Sequence, residues 1–214
     1  MFFKVSKAEK LMKEAYKAWG LHVGVTQTGW LYVAGRAWVI CQSLEECPKE
    51  LKGAIIGLCG DLPEPGEAYL AKVDEIQMEM INDVYVLPAV ANVDPQDEPC
   101  ELAEVRRILF RSPSGTDYRL IDNLKSNTAD LINNRYVEFV DPDQCAKSEN
   151  EVEGPFRQTT GAPYYVWHNG LTWFSVMPIA LHKPADDEPE TSDSKLYDEV
   201  VAVSAAFGLK LIER

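Results

Sequence analysis

Residues 164–181 read YYVWHNGLTWFSVMPIAL and form the most aromatic part of the chain. Asn169-Gly170 favours a tight turn, and aromatic and β-branched residues flank it on both sides. The pattern predicts a β-hairpin that turns at residues 168–170. Residues 30–41 predict a second hairpin, with its turn at Gly35-Arg36. Antiparallel strands are therefore expected in both halves of the chain.

The two predicted hairpins resemble each other in sequence. Each has an aromatic-Val strand, a glycine-containing turn and a tryptophan in the next strand: Tyr32, Val33, Gly35 and Trp38 in the first, and Tyr165, Val166, Gly170 and Trp173 in the second. They are either two unrelated hairpins or parts of a duplicated domain of about 100 residues. The second interpretation predicts an α+β fold with two helix-on-antiparallel-sheet domains of similar type.

The polar, proline-rich residues 91–99 are the best candidate for a domain boundary. We therefore expect an N-terminal α+β domain at residues 1–92 and a C-terminal α+β domain at residues 93–183. An acidic linker and a terminal helix are expected at residues 184–214.

Apolar periodicity and capping residues predict the smaller elements. Ser43 and Glu46 form a possible capping box before a helix that ends at Gly60. Thr116 or Asp117 is expected to cap another helix that extends to Leu124. The remaining elements are helices at residues 6–19 and 195–207 and strands at residues 21–26, 105–110 and 136–140.

Charge is distributed unevenly along the 214 residues, which carry a net charge of −13. This acidity argues against a protein that simply coats nucleic acid. In the predicted helix 6–19, however, an apolar stripe and a lysine stripe lie on opposite faces at 100° per residue. The apolar stripe is Ala8, Leu11, Met12, Ala15 and Trp19, and the lysine stripe is Lys7, Lys10, Lys13 and Lys17. The lysines form either a solvated helix face or a surface for an anionic partner.

Membrane, secretory and metal-binding features are not found in the sequence. It has no run of 18 apolar residues and no signal-peptide pattern, so we expect a cytoplasmic protein without a membrane partner. The cysteines and histidines are too irregularly spaced for a zinc site, which favours free thiols and no metal. These residues are Cys41, Cys47, Cys59, Cys100, Cys145, His22, His168 and His182.

Candidate catalytic residues are few. Asp141-Pro-Asp143 resembles an acidic metal-binding pair, although it lies among turn residues. Cys145 and His168 could form a thiol–imidazole pair, but no orienting third group is marked. No phosphate-binding glycine pattern and no Gly-x-Ser-x-Gly motif are present. We therefore expect a binding protein without a cofactor rather than an enzyme.

Residues 176–181, Val-Met-Pro-Ile-Ala-Leu, resemble the Val-Met-Pro-Met-Arg-Leu ending of bacterial sliding clamps, the beta subunit of the replicative polymerase. Residues 118–124 are similar to the opening of a helix in the last domain of a clamp. This chain has room for two domains where a clamp chain has three, and Ala180 replaces the arginine of the family. A reduced clamp from a phage or mobile element would fit this length.

The resemblance implies a processivity factor that encircles DNA, takes part in DNA replication and performs no chemistry of its own. Basic helix residues would face the DNA backbone non-specifically: Lys7, Lys10, Lys13, Lys17, Arg119 and Lys125. Peptides of replication proteins would bind in an apolar groove formed by Val176, Met177, Pro178, Ile179 and Leu181. An ordinary buried strand is the alternative interpretation of residues 177–181.

Two other classes stay open beside the clamp-like interpretation. The chain could be an acidic protein-binding or DNA-mimic inhibitor module that does not bind DNA. It could also be an enzyme of unrecognised type, with a perturbed acid or thiol in a pocket. A clamp ring built from two-domain chains requires a homo-oligomer, either a closed trimer or a dimer with wider domains.

Overall fold

A computed structural model of the protein describes residues 1–80, 100–158, 163–181 and 192–212. These residues form an α+β fold with five helices and one large, mostly antiparallel sheet. The helices are α1 (Val5–Ala18), α2 (Lys49–Cys59), α3 (Asn134–Val137), α4 (Pro142–Cys145) and α5 (Ser192–Ala206). The strands are β1 (Leu21–Val25), β2 (Trp30–Ala34), β3 (Trp38–Ser43), β4 (Glu67–Lys72), β5 (Glu75–Met80), β6 (Cys100–Arg111), β7 (Asp117–Asn123), β8 (Thr128–Asn133), β9 (Glu153–Gln158), β10 (Tyr165–His168), β11 (Thr172–Val176) and β12 (Lys210–Leu211). No helix in these ranges is long and apolar enough to cross a lipid bilayer.

The twelve strands of the described ranges form a sheet in the order β12-β8-β7-β6-β9-β10-β11-β3-β2-β1-β4-β5. Neighbouring strands are antiparallel, apart from the parallel pair β12–β8. At the centre, β3 pairs with β11 from Trp38↔Val176 to Gln42↔Thr172. This pairing joins strands from the two predicted domains. The predicted boundary at residues 91–99 lies outside the described residues.

The sheet contains two units that share one strand order. In β1–β5 and again in β6–β11, the third strand of the unit is followed by the second, first, fourth and fifth. Helices connect the third and fourth strands of each unit, α2 in the first and α3 with α4 in the second. The hairpin β2–β3 therefore corresponds to β7–β8 and not to β10–β11. The sequence similarity between the two aromatic hairpins does not mark equivalent strands.

Several predicted elements are confirmed within the described residues. Both aromatic hairpins form, as β2–β3 and β10–β11. Helices α1 and α5 lie where apolar periodicity predicts them, and α2 ends next to Gly60. The predicted capping box is wrong, because Ser43 belongs to β3 and α2 has Pro48 as its N-cap without a side-chain cap.

The helix predicted at residues 116–124 is strand β7. Its side chains alternate between two cores, since Leu120 packs against α5 and Ile121 faces the main core. A strand buried on both faces has consecutive apolar residues, which are easily mistaken for a helical stripe. The strand predicted at residues 136–140 is also wrong, because the Asn133 side chain accepts a hydrogen bond from Arg135 N and begins α3.

Helices and sheet enclose two separate cores. The main core lies between α1, α2 and α3 and one face of the sheet, and it includes residues of both units, such as Ile40, Ile121 and Phe174. The second core lies on the other face of β6, β7 and β8, where Leu196 and Val200 of α5 are buried. The units are thus joined by packing as well as by strand pairing.

The sheet curls strongly in its second unit. Strands β7, β6 and β9 separate β8 from β10, so a flat sheet would place them about 19 Å apart. Yet the Tyr165 hydroxyl of β10 lies 2.7 Å from Asp130 Oδ2 of β8. The curl turns this face of the second unit inwards, towards the main core.

The outer edge of β8 is covered by other residues of the chain. Strand β12 pairs with Thr128 and Ala129. Further along, Ile179 N donates a hydrogen bond of 2.8 Å to Leu131 O. Because an open strand edge can pair with a strand of another molecule, this covering closes one end of the sheet.

Candidate partner-binding groove

Two lysines of the predicted DNA-facing set are engaged by carboxylates. Lys7 Nζ lies 3.2 Å from Asp141 Oδ2, which joins α1 to the N-terminus of α4. Lys13 Nζ lies 2.6 Å from Glu9 Oε1, one helical turn earlier. Both ammonium groups are therefore already paired with a carboxylate of this chain.

The other predicted basic residues do not form one surface. Lys10 and Lys17 are exposed on α1, and neither forms an ion pair within the described part of the chain. Arg119 is half-buried, and its Nε donates to Asn134 Oδ1, which holds α3 against β7. Lys125 is exposed in the turn between β7 and β8, at the end of β8 remote from α3.

The residues predicted to form a peptide groove continue from β11 towards the second core. Val176 is completely buried in the main core, and Pro178 is also buried. Met177 N donates to Ala37 O at 2.9 Å. Ile179 and Leu181 are half-buried and pack against the second core. These side chains contribute to packing between elements of the sheet, and none of them lines either cavity beside α1.

Two adjoining cavities lie beside α1, on either side of an ion pair between α1 and α3. Glu14 Oε2 accepts a hydrogen bond of 2.9 Å from Arg135 Nη1, and both residues line both cavities. The first cavity, of about 270 Å³, is lined by Lys7, Lys10, Leu11, Glu14, Arg135, Glu138 and Phe139. The second, of about 310 Å³, is lined by Glu14, Ala15, Ala18, Trp19, Arg36, Ala37, Trp38, Asn133, Arg135 and Tyr136. We call the two cavities together the α1 groove.

Arginine side chains lie over aromatic rings at both ends of the second cavity. The Arg36 guanidinium lies 4.6 Å from the centre of the Trp19 ring. The Arg135 guanidinium lies 4.9 Å from the centre of the Tyr136 ring. Stacking orients a guanidinium by its face and leaves the N–H groups at its edge available as donors. Arg36 forms no ion pair with any described residue, so its donors are available to a ligand.

Trp19 is the most exposed large hydrophobic side chain among the described residues, with 65% of its surface accessible. The prediction that it belongs to the buried stripe of α1 is wrong. Helix α1 ends at Ala18, and Gly20 adopts a φ of 101°, which redirects the chain into β1. Trp19 N still donates to Ala15 O at 3.0 Å, so Trp19 lies at the end of the helix, where its ring is exposed and contacts Arg36.

The cysteine thiols show no sign of activation. Burial raises the pKa of Cys41 to about 12, and burial also raises the pKa of Cys47 and Cys59 to about 11. These thiols are protonated at neutral pH and are poor nucleophiles. Cys145 packs against the main core, whereas His168 stacks on the opposite face of the sheet. The structure does not bring these two residues together as a pair.

Asp141 of the acidic pair has a structural role. Burial by itself would raise the pKa of Asp141, but hydrogen bonds from Lys4 and Lys7 outweigh it and lower the pKa to about 2. The second carboxylate oxygen accepts a hydrogen bond from Gln144 N at the start of α4. Within the residues that the structure describes, no group of three potential metal ligands comes together.

A cluster of buried polar side chains lies inside the curled part of the sheet. The Tyr165 hydroxyl lies 2.7 Å from Asp130 Oδ2 and 2.9 Å from Asn123 Oδ1. Arg157 Nη1 lies 3.1 Å from Glu101 Oε1, and its Nε lies 3.5 Å from Asp130 Oδ2. Burial and the neighbouring Asp130 carboxylate raise the pKa of Tyr165, so the hydroxyl keeps its proton as a donor. The cluster connects the five strands β6, β7, β8, β9 and β10.

Comparisons of the chain with protein-family models, curated proteins and solved structures gave no match.

Proposed function

We propose that this protein is a non-catalytic binding module that holds a segment of a partner protein in the α1 groove. The observation that carries the proposal is the Trp19–Arg36 pair, in which an exposed tryptophan and an arginine that forms no ion pair with a described residue border the same cavity. Tryptophan, tyrosine and arginine dominate the binding energy of protein interfaces. The groove places all three types around one cavity.

The construction of the groove supports a preformed site. Its floor includes Trp38 and Tyr136, both buried and both held by the main core. Its walls come from helix α1, the tight turn between β2 and β3, and helix α3. A rigid floor reduces the entropy lost on binding, because few side chains need to be ordered.

Selection from a library of random 12-residue peptides displayed on phage tests the proposal. Peptides that bind the wild-type protein should bind Trp19→Ala at least about 30-fold more weakly, the usual effect of removing an interface hot spot. Phe207→Ala is the matched control. Phe207 is also an exposed aromatic residue beneath an arginine, Arg106, but it lies outside the groove, at the end of α5.

Selected peptides should bind Phe207→Ala as tightly as they bind the wild type. Circular dichroism should show that both variants fold, since each replaced ring is at least half exposed. A library that yields no binder, or binders that are indifferent to Trp19→Ala, would rule out the groove as a peptide site.

A clamp-like DNA-tethering factor is the second candidate, and the repeated strand order favours it. Two units of one topology continue a single sheet, and a lysine-bearing helix lies on one face of that sheet. The covered edge of β8 counts against a ring that closes by pairing this strand with the next copy. Light scattering after size-exclusion chromatography separates the cases. A closed trimer or dimer would support the clamp, and a monomer at all concentrations would exclude a self-assembled ring.

A further inference from the structure

The charges of the α1 groove differ in sign from those of the whole protein. Four basic side chains, Lys7, Lys10, Arg36 and Arg135, and two acidic ones, Glu14 and Glu138, line its two cavities. The chain as a whole carries a net charge of −13. Asp141 engages Lys7 and Glu14 engages Arg135, so Lys10 and Arg36 are the groove cations that form no ion pair with a described residue. Unpaired positive charge at one concave site of an acidic protein favours a ligand that brings negative charge to that site.

The donors available in the groove suit a carboxylate. Arg135 already donates to Glu14, which leaves Arg36 as the arginine of the groove whose donors are not engaged by any described carboxylate. A guanidinium edge matches the two oxygens of a carboxylate and can bind them with two parallel hydrogen bonds. Stacking on Trp19 holds that edge in place and reduces the entropy lost on binding.

The space beside Arg36 is apolar. Ala18, Ala37 and the Trp19 ring line the second cavity next to the guanidinium. Covering the exposed tryptophan with an apolar side chain removes apolar surface from water on both partners. An occupant that combines a carboxylate with a neighbouring apolar group would therefore use both features of the cavity.

A nucleic-acid strand fits the groove less well than a peptide. Glu14 lies between the cavities and Glu138 lines the first, so a continuous phosphate backbone would pass two carboxylates. A peptide can place one acidic side chain at Arg36 and uncharged groups near the glutamates. Because Arg36 offers one place for a carboxylate, the groove favours a ligand that carries its negative charge at one point.

We propose that the α1 groove binds a peptide segment in which an Asp or Glu side chain lies close to an apolar or aromatic one, with Arg36 holding the carboxylate and Trp19 covering the apolar group. This inference rests on the proposed function and adds the chemical class of the partner.

A pair of synthetic peptides made from one selected sequence tests the inference by fluorescence anisotropy. One peptide keeps its acidic residue, and the other carries the isosteric amide. On the wild-type protein, the amide should bind about tenfold more weakly, the effect of losing one charge-assisted hydrogen-bond pair. On Arg36→Ala, acid and amide should bind equally, because the group that distinguishes them is gone. Arg36→Lys should restore part of the preference, and Phe207→Ala should retain all of it.

The outcomes separate failure of the partner class from failure of the groove. Selected peptides that depend on Trp19 but show no enrichment of Asp or Glu would leave the groove as a peptide site and overturn the acidic class. If the amide peptide binds more weakly than the acidic peptide by the same factor on the wild type and on Arg36→Ala, the proposed role of Arg36 is wrong. A 15-residue oligothymidylate that binds at physiological salt, loses affinity in Trp19→Ala and displaces the peptide would assign the groove to nucleic acid instead.

Discussion

The unit β1–β5 and the unit β6–β11 share a strand order but stabilise it with different chemistry. The first unit buries apolar side chains between sheet and helices, such as Val33 of β2 and Ile55 of α2. The second unit surrounds Tyr165 with Asp130, Asn123 and Arg157 inside its curl. The difference shows that one topology tolerates an apolar or a polar interior. The polar version requires that each buried charge has a partner.

The largest effect should come from removing the cation of the polar cluster. Arg157→Leu leaves the carboxylates of Glu101 and Asp130 buried without their counter-ion. We expect the free energy of unfolding to fall by about 3–5 kcal/mol. Urea denaturation measures it, with Arg111→Ala as the control, since the Arg111–Asp117 pair is exposed to solvent and should contribute little to stability. A loss this small for Arg157→Leu would mean that the cluster is not needed for stability.

Truncation of the apolar interior should have the next largest effect. Ile55 of α2 is fully buried, and Ile55→Ala should lower the free energy of unfolding by about 3 kcal/mol. Ile56, its neighbour on the same helix, is 40% exposed and provides a matched control. Ile56→Ala should change stability by less than about 1 kcal/mol. Similar losses for both residues would contradict the packing of α2 against the sheet.

Removal of a single hydroxyl group from the polar interior should have a smaller effect on stability. Tyr165→Phe removes the donor shared by Asp130 and Asn123 while keeping the ring. The free energy of unfolding should fall by about 2 kcal/mol, because a buried acceptor loses its donor. Tyr16→Phe, on half-buried Tyr16 of α1, should change stability by less than about 0.5 kcal/mol. Thermal unfolding measures the melting temperature of both variants. Equal melting temperatures would show that the Tyr165 hydroxyl does not contribute to stability.

The smallest effect concerns the contact between the units at Asp141. Its folded-state pKa of about 2 lies below the ordinary value of 3.8. The stabilisation is therefore complete above the ordinary pKa and is lost as the pH falls through about 4 towards 2. Asp141→Asn should make the stability of the protein less sensitive to pH in this window. Chemical denaturation at pH 5 and pH 3 measures the difference. An unchanged pH dependence in Asp141→Asn would show that other carboxylates account for the acid sensitivity.

Local sequence signals could predict the elements whose contacts are local. The hairpins β2–β3 and β10–β11 follow from turn residues, and α1 follows from its periodicity. Strand β7 could not be predicted in this way. Its consecutive apolar residues Leu120 and Ile121 serve two cores, and one of these cores exists only because α5, far along the chain, packs on the sheet.

The candidate site could be predicted only in part. Lys7 and Lys10 were expected to face an anionic partner, and they line the α1 groove. The sequence predicts Arg36 only as a turn residue, because its role in the groove depends on its contact with the Trp19 ring. Arg119 is predicted as a DNA contact, but its partner Asn134 begins α3, whose last residues are predicted as part of a strand at 136–140. Side-chain contacts between distant elements decide these roles, and no local pattern records them.

The covered edge of β8 has a consequence for the order in which the protein is made. Strands β6, β7 and β8 can pair as soon as residues 100–133 have left the ribosome, but β12 is synthesised much later. Until α5 and β12 arrive, the nascent chain presents both an uncovered strand edge and the apolar face that α5 will occupy. Such surfaces are prone to aggregation in incompletely folded chains. The synthesis of residues 192–211 thus determines when these aggregation-prone surfaces of the newly made protein are covered.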